Sequence, residues 1–139
     1  MRKKKKKYAN VIMLLLLLFV LFYVVLQDKT IKVTSNDLVK SYTTDIKQAD
    51  IKFLNKEIEL TGKVKLFLQI EGEKSLLELE TETNELQLYC ILMNKEVEEK
   101  SAELTSGTSV TVIGKCLGFD PPLINRFSNS IYIEAEQLR

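Results

Sequence analysis

From residue 8 to residue 26 the chain reads YANVIMLLLLLFVLFYVVL, a run without a charge, a proline or a glycine. Its apolar side chains would cover every face of a helix, with Asn10 near the start as the one amide, whereas a helix resting on a protein core keeps a polar stripe. At about 1.5 Å per residue the run spans about 28 Å, close to the roughly 30 Å hydrocarbon core of a bilayer. The pattern therefore predicts a membrane-inserted helix, with Tyr8 and Tyr23 suited to the interfaces.

The flanks set its expected orientation. Arg2, Lys3, Lys4, Lys5, Lys6 and Lys7 precede the run, and no acidic residue occurs before Asp28. Such a basic tail is retained in the cytoplasm, which places residues 27 to 139 on the far side. A nucleic-acid role for the lysine run is the rival reading, but topology already accounts for it. The run exceeds the 7–15 residues usual for a cleaved signal, and Val24 to Asp28 offer no small-residue cleavage site. The first cysteine is Cys90, far from where a lipid anchor would attach. The expected organisation is thus a basic cytoplasmic tail at 1–7, an uncleaved signal anchor at 8–26, a tether at 27–34 and one soluble domain at 35–139.

Within that domain the pattern changes twice. Ser35, Asn36 and Asp37 offer helix N-caps, and Leu38, Tyr42, Ile46, Ala49 and Phe53 follow at the spacing of an amphipathic helix packed on a core. From Ile58 the period becomes two: Ile58, Leu60, Gly62, Val64, Leu66, Leu68 and Ile70 share the expected buried face of a long strand, with Phe67 as the exposed exception. Gly62 reads as a bend or bulge. A second strand carries Leu77 and Leu79 inward, and a third carries Leu86, Leu88, Cys90 and Leu92 inward with Gln87, Tyr89 and Ile91 outward. Asn94 can cap a short helix, KEVEEKSAEL. Thr108–Cys116 forms a fourth strand, a loop GFDPPLINRFSNS follows, and Ile131–Gln137 closes the chain as a fifth. The fold class is mainly β: a five-stranded OB-fold barrel with an N-terminal amphipathic helix, a short helix between strands three and four, and a separate N-terminal transmembrane helix.

The residues also carry a resemblance. SNDLVKSY with Ala49 and Asp50, IELTGKV at 58–64, LYC at 88–90 and SGTSVTVIGKCLGF at 106–119 resemble the tRNA_anti-like family, small OB-fold domains often found behind a bacterial signal or lipid anchor. The resemblance covers roughly residues 35–139 and implies the OB fold in an extracytoplasmic setting. It implies no defined activity, and the lipid-bearing cysteine of the lipoprotein members is missing here.

Charge and composition narrow the function. Of 139 residues, 20 are Lys or Arg, 19 are Asp or Glu and none is His, so the net is +1. Once the six tail cations are set aside, 14 basic and 19 acidic residues remain, a net of −5. Without histidine there is no Ser/His/Asp or Cys/His arrangement and no His-ligated metal. No nucleophile with a base and no Gly-rich phosphate loop appears, so an enzyme is not expected, nor is a cofactor or a metal. OB folds commonly bind across strands two and three and their loops. There Glu78, Glu80, Glu82 and Glu85 stand where phosphates would pass, which disfavours nucleic acid, and the glutamates read as a wet face paired with Lys63 and Lys65. The long loop holds Phe119, Arg126 and Phe127 beside Pro121 and Pro122. Together with Tyr89 these are the candidate ligand contacts. Cys90 and Cys116 both face inward on strands separated by a third, so two buried thiols are favoured over a disulfide. The expected function is a single-pass, membrane-anchored extracytoplasmic OB module contacting an envelope protein, peptide or glycan. The alternative is a domain that binds single-stranded nucleic acid.

Overall fold

The computed structural model describes residues 2–25, 29–122 and 127–139, with side chains from 11–23, 29–122 and 127–139. The N-terminal helix, α1 (Arg2–Val25), contains no proline or glycine and is rich in Lys and Leu, both good helix formers. Within it the stretch Val11–Tyr23 is exposed at every position. That stretch is about 20 Å long. Among the described residues no helix is long and apolar enough to cross a membrane. The side chains of Arg2 to Lys7 and both ends of the expected 8–26 span lie outside the described set.

Five strands close the barrel. They are β2 (Glu57–Leu68), β3 (Leu76–Leu79), β4 (Gln87–Leu92), β5 (Ser109–Phe119) and β6 (Ser130–Leu138). β2 pairs antiparallel with β3, and β3 with β4; β4 runs parallel to β6; β6 pairs antiparallel with β5, which returns antiparallel to β2. This is the five-stranded barrel expected from the sequence. Its interior is filled from alternate positions, among them Ile58, Leu60, Leu77, Leu88, Val112 and Ile133, all buried. The expected short helix, α4 (Lys95–Ala102), starts where the Asn94 side chain accepts a hydrogen bond from the Val97 N–H at 3.0 Å. β5 runs three residues further than expected, which takes Phe119 out of the loop and into the strand.

Three departures from expectation have local causes. Residues 31–34, expected within the tether, form β1 (Ile31–Thr34), which runs parallel to β2 and pairs Ile31 with Ile58 and Val33 with Leu60. Ile31 and Val33 alternate onto the core and cover the barrel edge. The expected single helix is two, α2 (Ser35–Thr44) and α3 (Ile46–Phe53). Asp45 stands between them in extended backbone, donating its N–H to the Ser41 carbonyl and capping Gln48 N with its carboxylate. The break turns Ile46 outward, so it leaves the buried stripe kept by Leu38, Tyr42, Ala49 and Phe53. Finally, β2 bulges between Val64 and Leu66. One inserted residue reverses every side chain beyond it. Phe67 therefore packs on the core, Leu66 is exposed, and Leu68 and Ile70 lie on the opposite face from the one the uninterrupted period requires. Gly62 is not the bend: a Cβ there would lie 3.0 Å from the Ser35 hydroxyl and 3.3 Å from Leu79, so it admits α2 against the strand.

Candidate functional site

Strands β3, β4 and β6 bury residues on both faces. Their inward residues join the core, while Leu76, Tyr89, Ile91 and Tyr132 point outward and are buried nonetheless. A sheet that is apolar on both sides needs cover on both. Part of the cover comes from Leu68 and Ile70, which the β2 bulge delivers to this face, and part from Met93 and Leu117.

The rest is aromatic. Tyr89 and Tyr132 are register partners across the parallel β4–β6 pair, with ring centroids 5.7 Å apart and planes inclined by 29°. Phe127 also stacks on Tyr89, 4.9 Å away and inclined by 26°. Offset stacking of this kind adds about 0.5–1.5 kcal/mol per pair beyond burial. Exposure rises outward through the column: Tyr132 is 0% exposed, Tyr89 3% and Phe127 37%. Phe127 is its solvent-facing ring.

Hydrogen bonds from the Tyr132 hydroxyl hold the main chain that carries that ring. The Tyr132 hydroxyl donates to the Phe127 carbonyl and accepts from the Phe127 N–H, each at 3.1 Å. At the loop base Asp120, in the left-handed region at φ 40°, accepts from Asn129 N at 3.0 Å and Ser130 N at 2.8 Å. Its own N–H donates to the Ser130 carbonyl at 2.8 Å. The Tyr89 hydroxyl donates to Gln87 Oε1 at 3.1 Å. Burial, reinforced by Glu78 and Tyr132, pushes that hydroxyl up to about 12, so it stays protonated at neutral pH.

Glu78 lies opposite Tyr89 in the β3–β4 register and is almost wholly buried, with Lys65 Nζ 2.6 Å from its carboxylate. One of the four carboxylates expected to repel phosphate at this face is therefore neutralised in place. The expected Lys63 pairing differs, because it is the Lys63 carbonyl that accepts from Glu80 N at 2.8 Å. Glu82 is turned elsewhere and accepts from Asn36 Nδ2 at 2.8 Å.

Of the residues proposed from sequence, Tyr89 and Phe127 come together. Phe119 does not join them: it ends β5 and packs against the interior cluster. Arg126 lies outside the described residues. The residue that sequence reading missed is Tyr132. Its signal was the run Ile131, Tyr132, Ile133, apolar at both parities in a strand expected to alternate. Both cysteines are free and buried, flanking Ile133 from β4 and β5. Burial raises both thiols, Cys90 to about 12, and keeps them unreactive. Among the described residues no group of three or more Cys, Asp or Glu side chains could hold a metal ion. A separate cleft of about 490 Å³ opens where α2 meets β2, lined by Ser35, Asn36, Lys63, Glu80 and Arg139 among others, none of them part of the ring column.

The chain is similar to several solved structures. One is a putative aspartyl-tRNA synthetase from Leishmania major Friedlin, at 9% identity and a TM-score of 0.53, with 80% of this chain and 20% of that chain covered. Asparaginyl-tRNA synthetase from Pyrococcus horikoshii, complexed with asparaginyl-adenylate, gives 22% identity and a TM-score of 0.47 over 63% of this chain and 19% of that one. The S. pombe Stn1-ten1 complex gives 16% and 0.44 over 60% and 56%. The chain thus spans about a fifth of the length of these synthetases. No curated protein matches it. The tRNA_anti-like family model matches residues 1–128, further toward the N-terminus than the motifs alone reach and with the apolar helix included. An OB barrel preceded by that helix, matched over nearly its whole length, makes this chain a member of the tRNA_anti-like family.

Proposed function

We propose that this protein is a membrane-anchored OB-fold binding module that holds its ligand across the outer face of β3, β4 and β6. The observation that carries the proposal is the ring column, two buried tyrosines supporting a fixed and solvent-facing Phe127. A ring whose main chain is held by hydrogen bonds offers a stacking surface that loses little entropy on binding.

Single-stranded nucleic acid is the ligand class favoured by the comparisons. The family is named for anticodon-binding likeness, and proteins with the same fold include an enzyme named for tRNA. Base stacking on an aromatic platform contributes about 1–3 kcal/mol per base. The Lys65–Glu78 pair removes part of the repulsion that the glutamates would otherwise exert. A second reading, a protein, peptide or glycan ligand, is favoured by charge. Residues 57–139 hold 8 basic and 15 acidic side chains, a net of −7, a poor match for a phosphate backbone. The anchor is supported by the exposed Val11–Tyr23 stretch, which water does not tolerate, and by the basic residues before it. In this reading the N-terminus is cytoplasmic and the barrel extracytoplasmic.

Two measurements test it. Fluorescence anisotropy of labelled single-stranded oligonucleotides is read against the full chain in neutral detergent micelles, and nucleic-acid binding requires an affinity that falls steeply with added salt. Absence of binding at low salt eliminates the nucleic-acid ligand and leaves the second reading. Protease digestion of intact cells tests the anchor: the barrel should be cleaved from outside, and full protection refutes the topology.

A further inference from the structure

The chain is charged unevenly in a way that the ring column does not use. Residues 29–56, which form β1, α2 and α3, carry six lysines and three aspartates, a net of +3, against −7 for the barrel strands and their connections. Two of the three acids of this layer have partners within it. Asp45 caps α3, Asp50 accepts from the Tyr42 hydroxyl at 3.1 Å, and Asp37 sits in the first turn of α2, where the helix dipole holds it. Its lysines point out. Lys32 is 79% exposed along its side chain and reaches Glu59 only at 3.8 Å. Lys40 makes no ion pair among the described residues.

Lys32, Lys40 and Lys52, with Asp37 and Asp45, line a groove of about 720 Å³ between β1 and the two helices. On the side of α3 opposite Ala49 and Phe53, Ile51 is 68% exposed. The groove also lies near the start of the domain. Only residues 26–30 separate the end of α1 from β1. At no more than about 3.5 Å per residue they reach at most about 18 Å, less than the diameter of a small domain.

We infer that the β1–α2–α3 layer docks on anionic phospholipid headgroups of the bilayer that holds α1, with lipid phosphate oxygens in the Lys32–Lys40–Lys52 groove and Ile51 at the acyl boundary. The inference rests on the membrane-anchored reading. The same field that attracts this layer repels the acidic barrel, so the domain is oriented as well as held. A short tether raises the effective concentration of the groove at its own membrane, and so a weak headgroup site is filled.

The test uses the full chain in lipid nanodiscs made of phosphatidylcholine alone or with about a third phosphatidylglycerol. Hydrogen exchange of the amides at 35–53 should slow about tenfold in the anionic discs, while exchange in β2 to β6 stays the same in both. The triple variant Lys32→Glu, Lys40→Glu, Lys52→Glu should lose that protection, as should the native chain in about 0.5 M salt. Equal exchange in the two discs, with the chain inserted in both, overturns the docking and leaves the anchor standing. Equal protection by inorganic phosphate in phosphatidylcholine discs overturns the lipid assignment in favour of a free anion. A chain recovered outside the discs overturns both readings.

Discussion

Replacing Phe127 by alanine tests whether the ring column is a built site or a loop resting by chance on a sheet. Phe127 is 37% exposed, so nearly two-thirds of its surface is covered, and its ring stacks on Tyr89 at 4.9 Å. Truncation to a methyl removes about 100 Å² of apolar contact, worth about 2.5 kcal/mol at 25 cal per Å². Partial collapse of the loop recovers some of this, and the expected cost is about 1.5–2.5 kcal/mol. For a domain of this size that lowers Tm by about 6–15 °C, read by circular dichroism on the full chain in detergent. Tyr89→Leu supplies the second arm of a double-mutant cycle and should couple to Phe127→Ala by about 1 kcal/mol. The functional arm is oligonucleotide affinity: loss of one stacking contact predicts a fall of about 5- to 150-fold for Phe127→Ala. Phe119→Leu, on the other side of the β5 end, should leave affinity unchanged. If Phe127→Ala costs under about 0.5 kcal/mol and the two changes add without coupling, the ring is not seated on Tyr89, and the site as described does not exist.

The other predictions concern the barrel that supports the face. Gly114→Ala should cost more than about 3 kcal/mol and abolish the cooperative melt, because its Cβ would stand 1.9 Å from the Glu134 carbonyl oxygen, backbone that has nowhere to go. Neither Cys90 nor Cys116 should react with a thiol reagent in the folded chain at pH 8, and both should react in denaturant; one fast native thiol would contradict their burial. Tyr89 gives a pH signature: its hydroxyl is raised to about 12 in the fold against about 10 unfolded, so the folded state binds more protons between those values. The stability it contributes is complete below pH 10 and is lost as pH rises through about 12, and phenolate absorbance in Tyr89→Phe should lack one late-titrating group.

How much of this was legible in the sequence differs by element. The barrel could be read because it is written in side-chain parity: Leu77, Leu88 and Cys90 fall on one face by counting alone, and they line the interior. The break between α2 and α3 was harder, because the spacing from Tyr42 to Ile46 continues the helical rhythm, and only the competition of Asp45 for backbone N–H groups ends it. β1 was missed because four residues are a weak signal and its pairing with β2 is set in three dimensions. Tyr89 and Phe127 could be proposed as aromatics on a strand face and in a loop, yet their contact required the fold, and Tyr132 was hidden because a strand buried on both faces has no period.

The bulge at Val64–Leu66 joins these observations. An uninterrupted β2 would bury Leu66, Leu68 and Ile70 inside the barrel and deprive Leu76, Tyr89, Ile91 and Tyr132 of part of their apolar cover. With one residue looped out, the end of β2 supplies Phe67 to the interior and Leu68 and Ile70 to the outer face. The inserted residue, Lys65, is also the one whose ammonium neutralises Glu78 beside Tyr89. A single register shift therefore provides both the apolar cover and the charge compensation on which the ring column depends. Deleting Lys65 should consequently disturb the outer face more than Lys65→Met, which removes only the charge and keeps the register.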